Sequence, residues 1–125
     1  MTQNHDGTAT SVERGQILLD IANTIVKLHK QYFGKGPTKA RTHLSQDLLT
    51  VVLEGGFTRC EHTLRDRGHE REVIATRYAM QRSIQDEFVA AIEGVTGRRV
   101  RSFMSANDPE QDMQVEVFVL QREDQ

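Results

Sequence analysis

The chain has 125 residues, of which 37% are hydrophobic and 27% charged, so a single domain is expected and two independent cores are excluded. Sixteen basic residues against eighteen acidic ones leave a net charge of −2, which gives no general electrostatic attraction to nucleic acid. The single cysteine, Cys60, excludes an internal disulfide and a cysteine-based zinc cage, and it suits a reducing compartment.

The chain shows no targeting or membrane-spanning pattern. Its unbroken apolar stretches, such as Val51–Leu53, are far short of the about 20 residues that a transmembrane helix needs. The first ten residues are polar and lack the basic start and apolar run of a signal peptide. We therefore expect a cytoplasmic protein that does not insert into a membrane, with a disordered tail at residues 1–10 and one domain at residues 11–122.

The first predicted element is a long helix. Thr10 and Glu13 have the spacing of a capping box, which indicates a helix start. Gly34 is a natural left-handed terminator, and Pro37 forbids helical continuation. His29 lies on this helix, where a half-buried or surface position is the default expectation. Apolar residues recur between these ends at three- and four-residue steps: Leu18, Ile21, Ala22, Ile25, Leu28 and Tyr32.

The next segments predict a hairpin and a short helix. Side chains alternate from Thr38 to Leu44, and residues 48–54 are rich in Val and Leu, as expected for two paired strands. Thr58 and Glu61 repeat the capping-box spacing and open a short helix that should end near Gly68.

The second half predicts one long helix and a second hairpin. A helical period runs from about His69 to Val95, although Arg77 interrupts its apolar stripe. Strands at residues 99–105 and 113–122 follow, separated by a polar loop from Ala106 to Asp112. The order α-β-β-α-α-β-β predicts an α+β two-layer sandwich, in which two long helices and one short helix accompany about four antiparallel strands in two hairpins. The order of the strands in the sheet stays open.

Both faces of that sheet are partly apolar. In the last strand, Phe118 and Leu120 occupy the face opposite a row of valines that includes Val115, Val117 and Val119. Because a second molecule would bury the outer face, we expect a homodimer.

Basic residues form the main candidate binding site. One side of the first strand is basic, and Arg98, Arg99 and Arg101 form a second cluster, for which the nearby end of the second long helix offers a structural explanation. Whether the clusters meet depends on the strand order. A solvated or ion-paired strand face is the plainer interpretation, and an anion or nucleotide site is the alternative. Nucleic acid is not expected, because no aromatic residues interleave with these bases. The candidate anion-binding residues are Lys35, Lys39, Arg41, His43, Arg99 and Arg101.

Other motifs favour structural interpretations. The segment Gly34-Lys35-Gly36-Pro37 lacks the spacing of a phosphate loop and follows a helix instead of preceding one, so it is either a helix stop or a functional loop. Cys60 and His62 point to different sides of a helix, which disfavours zinc. The acidic residues Asp108, Glu110 and Asp112 depart from a calcium loop.

The sequence also lacks the common catalytic signatures. The chain has no nucleophile elbow and no His-Glu-x-x-His helix. We therefore predict no catalytic residue, no metal and no cofactor. Enzymatic activity stays open but is not favoured.

Several blocks together resemble a bacterial family. The run from Leu28 to Thr42, LHKQYFGKGPTKART, resembles the signature of the MpsC-like domain, which is named for a Na-translocating, membrane-potential-generating system. Further similar blocks are Leu53–Thr58 with Glu61, Thr96–Val100, Phe103–Ser105 and Val115–Leu120, so the resemblance spans roughly residues 13–121 and departs in the loop Ala106–Met113.

The resemblance implies a domain of unknown function with no established catalytic residues. It further implies a soluble accessory or regulatory protein associated with membrane cation or bicarbonate transport, with an integral membrane protein as its partner. The alternative function is a small-anion or nucleotide-binding module that uses the basic face of the first strand.

Overall fold

A computed structural model describes residues 10–122 of the chain. Within this part, the element order is α-β-β-α-α-α-β-β, and the four strands form one antiparallel sheet, which confirms the predicted α+β class. The predicted disordered tail falls on residues 1–9, which lie outside the described residues, and on Thr10. The elements are α1 (Ser11–Phe33), β1 (Lys39–Ser45), β2 (Leu48–Glu54), α2 (Arg59–Asp66), α3 (Glu70–Ser83), α4 (Gln85–Thr96), β3 (Val100–Asp108) and β4 (Met113–Leu120).

The helix ends follow the local sequence signals. At the start of α1, the Glu13 backbone N–H donates to Thr10 Oγ1 (3.1 Å), and the Thr10 N–H donates to Glu13 Oε1 (2.9 Å). The helix ends at Gly34, whose φ of 83° is left-handed. The same reciprocal pair between Thr58 and Glu61 opens α2. Both capping boxes are therefore confirmed.

The prediction of one helix over residues 69–95 is wrong. The chain leaves helical geometry at Ile84, with φ −111° and ψ 12°, and forms α3 before this residue and α4 after it. An unbroken helix of that length would extend about 40 Å, whereas a nine-residue strand extends about 30 Å. The break lets both segments pack on the sheet, and each buries its own set of residues: Val73, Arg77 and Gln81 on α3, and Phe88 and Ile92 on α4.

The strand order is β1-β2-β4-β3, with every neighbouring pair antiparallel. The two predicted hairpins are present, and their second strands β2 and β4 pair along the middle of the sheet. Strand β3 extends to Asp108, so three residues of the predicted loop, 106–108, belong to the strand instead. Their register explains this difference, because Ala106 and Asp108 lie opposite Val115 and Met113 of β4.

One face of the sheet packs against the helices and holds the core. Because side chains alternate along a strand, β2 and β4 direct alternate residues into this interior, including Leu49, Val51, Leu53, Phe118 and Leu120. From α1, Ile21 and Ile25 pack against them. The remaining alternate residues form the opposite face of the sheet.

None of the helices in the described part of the chain combines the length and apolar character required to cross a membrane.

Candidate interaction surface

The face of the sheet that points away from the helices, called here the outer face, is apolar along its middle strands. Val115 and Val117 are partly exposed there, and Leu48 and Met104 are 45% and 52% exposed. The outer face comprises Lys39, Arg41, His43 and Ser45 of β1, Leu48, Thr50, Val52 and Glu54 of β2, Met113, Val115, Val117 and Val119 of β4, and Ser102, Met104, Ala106 and Asp108 of β3. The sheet is therefore apolar on both faces, with helices on one of them.

The predicted basic side of the first strand lies on this outer face, at the β1 edge. Lys39, Arg41 and His43 are all exposed. Arg41 Nη2 lies 3.7 Å from Glu54 Oε2 of the neighbouring strand, and both side chains remain substantially accessible. Because such an exposed pair contributes little to stability, these cations remain available to a binding partner.

The other predicted anion-site residues lie apart from this row. Arg99 and Arg101 lie at the start of β3, which is the opposite edge of the sheet. Three strand spacings separate the two edges, a distance of about 14 Å. Arg99 Nε lies 3.7 Å from Glu93 Oε2 at the end of α4. The strand order therefore places five of the six candidate residues in two separate groups, and the sixth, Lys35, lies in the connection before β1.

The segment Gly34–Pro37 makes the connection between α1 and β1. Lys35 Nζ donates to the carbonyl of Phe57 at 3.3 Å. A Cβ on Gly36 would lie 3.3 Å from the Val26 carbonyl, so the loop passes close to the preceding helix. Its backbone lies at the C-terminal, negative end of α1, which disfavours anion binding there. The geometry agrees with a helix stop.

The residues considered for metal binding have other contacts. His62 Nε2 lies 3.0 Å from Asp112 Oδ2, and His69 Nδ1 lies 3.3 Å from Glu72 Oε2. Cys60 is exposed and free. Between residues 10 and 122, no three His, Cys, Asp or Glu side chains are grouped closely enough to hold a metal ion.

Arg77, which interrupts the predicted apolar stripe, is a buried arginine. The sequence alone did not predict its burial or its partner. Its side chain is 1% exposed, and its guanidinium donates to both carboxylate oxygens of Glu61, at 2.6 and 2.7 Å. It also donates to the Gly56 carbonyl at 3.0 Å. The rings of Phe33 and Phe57 lie 4.4 and 4.3 Å from its central carbon, which adds cation–π contacts on the buried group.

Arg77 also controls the ionisation of its partner. Burial raises the pKa of Glu61, but hydrogen bonds from Arg77 and Thr58, together with the positive charge of Arg77, outweigh burial and hold that pKa below its ordinary value. The carboxylate therefore stays ionised and links α2 to α3. The sequence does carry a signal for this pair: Arg77 is a charged residue at a position where the helical period predicts a core residue.

His29 and Glu116 form a second buried pair, and the expectation of a half-buried or surface histidine is wrong. The two side chains meet at 2.8 Å and are 2% and 0% exposed. The imidazole stacks on Phe33 and meets Phe88 edge-on. Because the aromatic rings and the sheet exclude water, this pair has no access to a substrate and holds α1 against β4.

Comparisons with known proteins agree with the resemblance seen in the motifs. The sequence model of the family described as the Na⁺-translocating membrane potential-generating system (MpsC) matches residues 13–122. The chain is also similar to the uncharacterized protein YbcI of Bacillus subtilis (strain 168), with 25% identity over 114 residues, covering 86% of this chain and 87% of that protein. No solved structure matches the chain.

Proposed function

The chain belongs to the family of the Na⁺-translocating membrane potential-generating system, MpsC, and from this premise we propose that it is a non-catalytic accessory protein of such a system, acting by binding protein. The proposal places the chain in the cytoplasm, where an exposed free thiol such as that of Cys60 persists in reduced form.

The observation that carries this proposal is the apolar outer face. Single exposed apolar residues are common on protein surfaces, but a contiguous apolar patch rimmed by polar residues is typical of an interaction site. Here the middle strands supply partly exposed Val52, Val115 and Val117, and the β1 edge supplies Lys39 and Arg41. An apolar centre beside a charged rim is the usual anatomy of a protein–protein interface.

The proposal is tested by affinity purification of the tagged chain from its own cells. The lysate would include detergent-solubilised membranes, be treated with nuclease, and be analysed by mass spectrometry. We expect an integral membrane protein of a Na⁺-translocating system to be recovered with the wild-type chain and lost with Val117→Lys.

The matched control is Val12→Lys, because Val12 is 82% exposed and lies in the first turn of α1, away from the outer face. A Lys39→Ala/Arg41→Ala double variant tests the basic row separately. Recovery of no membrane component by the wild-type chain would contradict the accessory role, whereas equal recovery by Val117→Lys would contradict the use of the outer face.

A small-anion site remains the second candidate function. The site now comprises only the candidate residues at the β1 edge of the sheet. Lys39, Arg41 and His43 are exposed on one side of β1, an arrangement that attracts anions. Titration of inorganic phosphate and common nucleotides by calorimetry tests it. Saturable binding that weakens with salt and with Arg41→Ala would support the site, and absence of binding would exclude it.

A further inference from the structure

We propose that a second copy of this chain covers the outer face, with the two sheets related by a two-fold axis that runs parallel to the strands between β2 and β4. This inference rests on the proposed function, which makes the outer face a protein-binding surface, and it names the occupant and its orientation. The second copy covers the outer face, and the resulting dimer is the form that binds the membrane component, so Val117→Lys removes both.

The size of the outer face suits such a dimer. Four strands at a spacing of about 4.8 Å, each with about seven residues at about 3.4 Å, present a flat area of roughly 450 Å². Projecting side chains make the accessible area larger than the flat one, so two copies together bury about 1,000 Å² or more, which is enough for a specific interface. The contact would be sheet on sheet with the strands nearly aligned.

The register of the sheet divides the outer face into four rows that cross all the strands. In strand order, the first row is Lys39, Glu54, Met113 and Asp108. The second row is Arg41, Val52, Val115 and Ala106. The third row is His43, Thr50, Val117 and Met104. The fourth row is Ser45, Leu48, Val119 and Ser102.

Rotation about an axis parallel to the strands keeps each row at its level and reverses its order. Lys39 of one copy then lies over Asp108 of the other, and Val52 lies over Val115. The second row therefore packs valine on valine, and in the fourth row Leu48 lies over Val119. At both edges of the dimer, Lys39 of β1 meets Asp108 of β3, so symmetry makes this favourable charge pair occur twice.

A hollow on the outer face fits the same arrangement. It has a volume of about 270 Å³ and its lining includes Val52, Ala106, Asp108 and Val115. These residues belong to the first two rows, at the level of Lys39 and Arg41. In the proposed dimer, the long side chains of Lys39 and Arg41 from the second copy lie over this hollow, with apolar walls for their methylene groups and Asp108 for their charge.

The other way to place the two sheets face to face is disfavoured by charge. An axis that runs across the strands would put β1 on β1, with Arg41 of each copy near His43 of the other. It would also bring the two rows of cations together at one edge and place Asp108 over Ser102 of the other copy at the other edge, away from any cation. Like charges placed opposite each other are repulsive, whereas the axis parallel to the strands pairs opposite charges.

The experiment is sedimentation velocity of the full chain over a range of concentrations, at low and high salt. We expect a dimer, with twice the 14.2 kDa chain mass. Lys39→Glu alone and Asp108→Lys alone should each weaken dimerisation about tenfold, because each places two like charges across the interface twice. The double variant Lys39→Glu/Asp108→Lys should return to within about threefold of wild type, and high salt should reduce all these differences.

Two further variants test whether the outer face forms the interface, independently of how the two copies are oriented. Val117→Lys should abolish the dimer, whereas Val12→Lys should not change it. Circular dichroism confirms that each variant is folded, and the charge-reversal series keeps the test decisive if Val117→Lys does not fold. A monomeric wild-type chain, or a dimer that Val117→Lys leaves intact, would overturn the inference. Failure of the double variant to recover would overturn the orientation.

These outcomes are distinct from failure of the proposed function. A chain that is monomeric but captures the membrane component through the outer face would refute the second copy as occupant and leave the accessory role intact. A dimer with the expected charge pattern that captures no membrane component would refute the accessory role and leave the dimer intact.

Discussion

His29 and Glu116 meet inside the protein although 87 positions separate them in the sequence, with His29 Nε2 lying 2.8 Å from Glu116 Oε2. The histidine comes from α1 and the carboxylate from β4, a middle strand of the sheet. Because both side chains are sealed from solvent, the interaction fixes the position of the helix on the sheet.

Removing one member of this pair should be strongly destabilising. We expect His29→Leu to lower the free energy of unfolding by about 3–5 kcal/mol, because the Glu116 carboxylate would be left buried without its partner. The double variant His29→Leu/Glu116→Leu should recover most of the loss, since neither buried polar side chain then remains. Urea denaturation measures both. Lys27→Leu is the control on the exposed side of α1, and an equal effect of His29→Leu and Lys27→Leu would refute the role of the pair.

Arg77 should not tolerate lysine. Arg77→Lys keeps the positive charge but loses the two-point contact with Glu61 and the planar stacking between Phe33 and Phe57. We expect a loss of about 2–3 kcal/mol in unfolding free energy, and Arg77→Met should lose about 3 kcal/mol or more because Glu61 loses its buried partner. The matched control is Arg71→Lys at an exposed position of the same helix. Equal unfolding midpoints for the two lysine variants would count against this account.

The stability of the protein should depend on pH through Glu61. Its pKa is lower in the folded state than its ordinary value of 4.5, so the unfolded chain binds a proton more readily than the folded one. The resulting stabilisation is present above about pH 4.5 and is lost as the pH falls through the lower folded-state value.

Glu61→Gln removes this dependence, so between pH 5 and pH 3 the variant should lose less unfolding free energy than wild type. Urea denaturation across that pH range makes the comparison. Equal acid losses in the two proteins would contradict the assignment to Glu61.

Two glycines with positive φ should differ in their response to alanine. Gly34 (φ 83°) has open space where a Cβ would lie, whereas a Cβ on Gly55 (φ 75°) would collide with Oγ1 of Thr38. Gly34→Ala should therefore cost about 1–2 kcal/mol from the left-handed backbone alone, and Gly55→Ala should cost more than that.

In a Thr38→Ala background, the excess cost of Gly55→Ala should decrease, because the obstructing hydroxyl is gone. Thermal or urea unfolding of the four variants measures these differences. Equal losses of unfolding free energy in Gly34→Ala and Gly55→Ala would show that the collision with Thr38 is relieved without an energetic penalty.

The sequence by itself determined the features that depend on neighbouring residues. The two capping boxes at Thr10 and Thr58, the helix stop at Gly34, and the strands of both hairpins were predicted from short motifs and from the alternation of side chains. The same alternation assigned Phe118 and the valine row of β4 to opposite faces of the sheet. These features follow from backbone geometry and local hydrogen bonding, which act over a few residues.

Only the tertiary structure decided how these elements combine. The alternation of side chains along a strand does not show which other strands it pairs with. The pairing of β2 with β4 and the separation of Lys39 from Arg99 were therefore not predictable. Nor was the break at Ile84, after which α4 packs on the sheet separately from α3. Arg77 and His29 read as polar residues within helices because the groups that make their burial favourable, Glu61 and Glu116, are brought to them only by folding. A buried charge is stable where its partner lies close in space, and proximity in space is set by the packing of the whole domain.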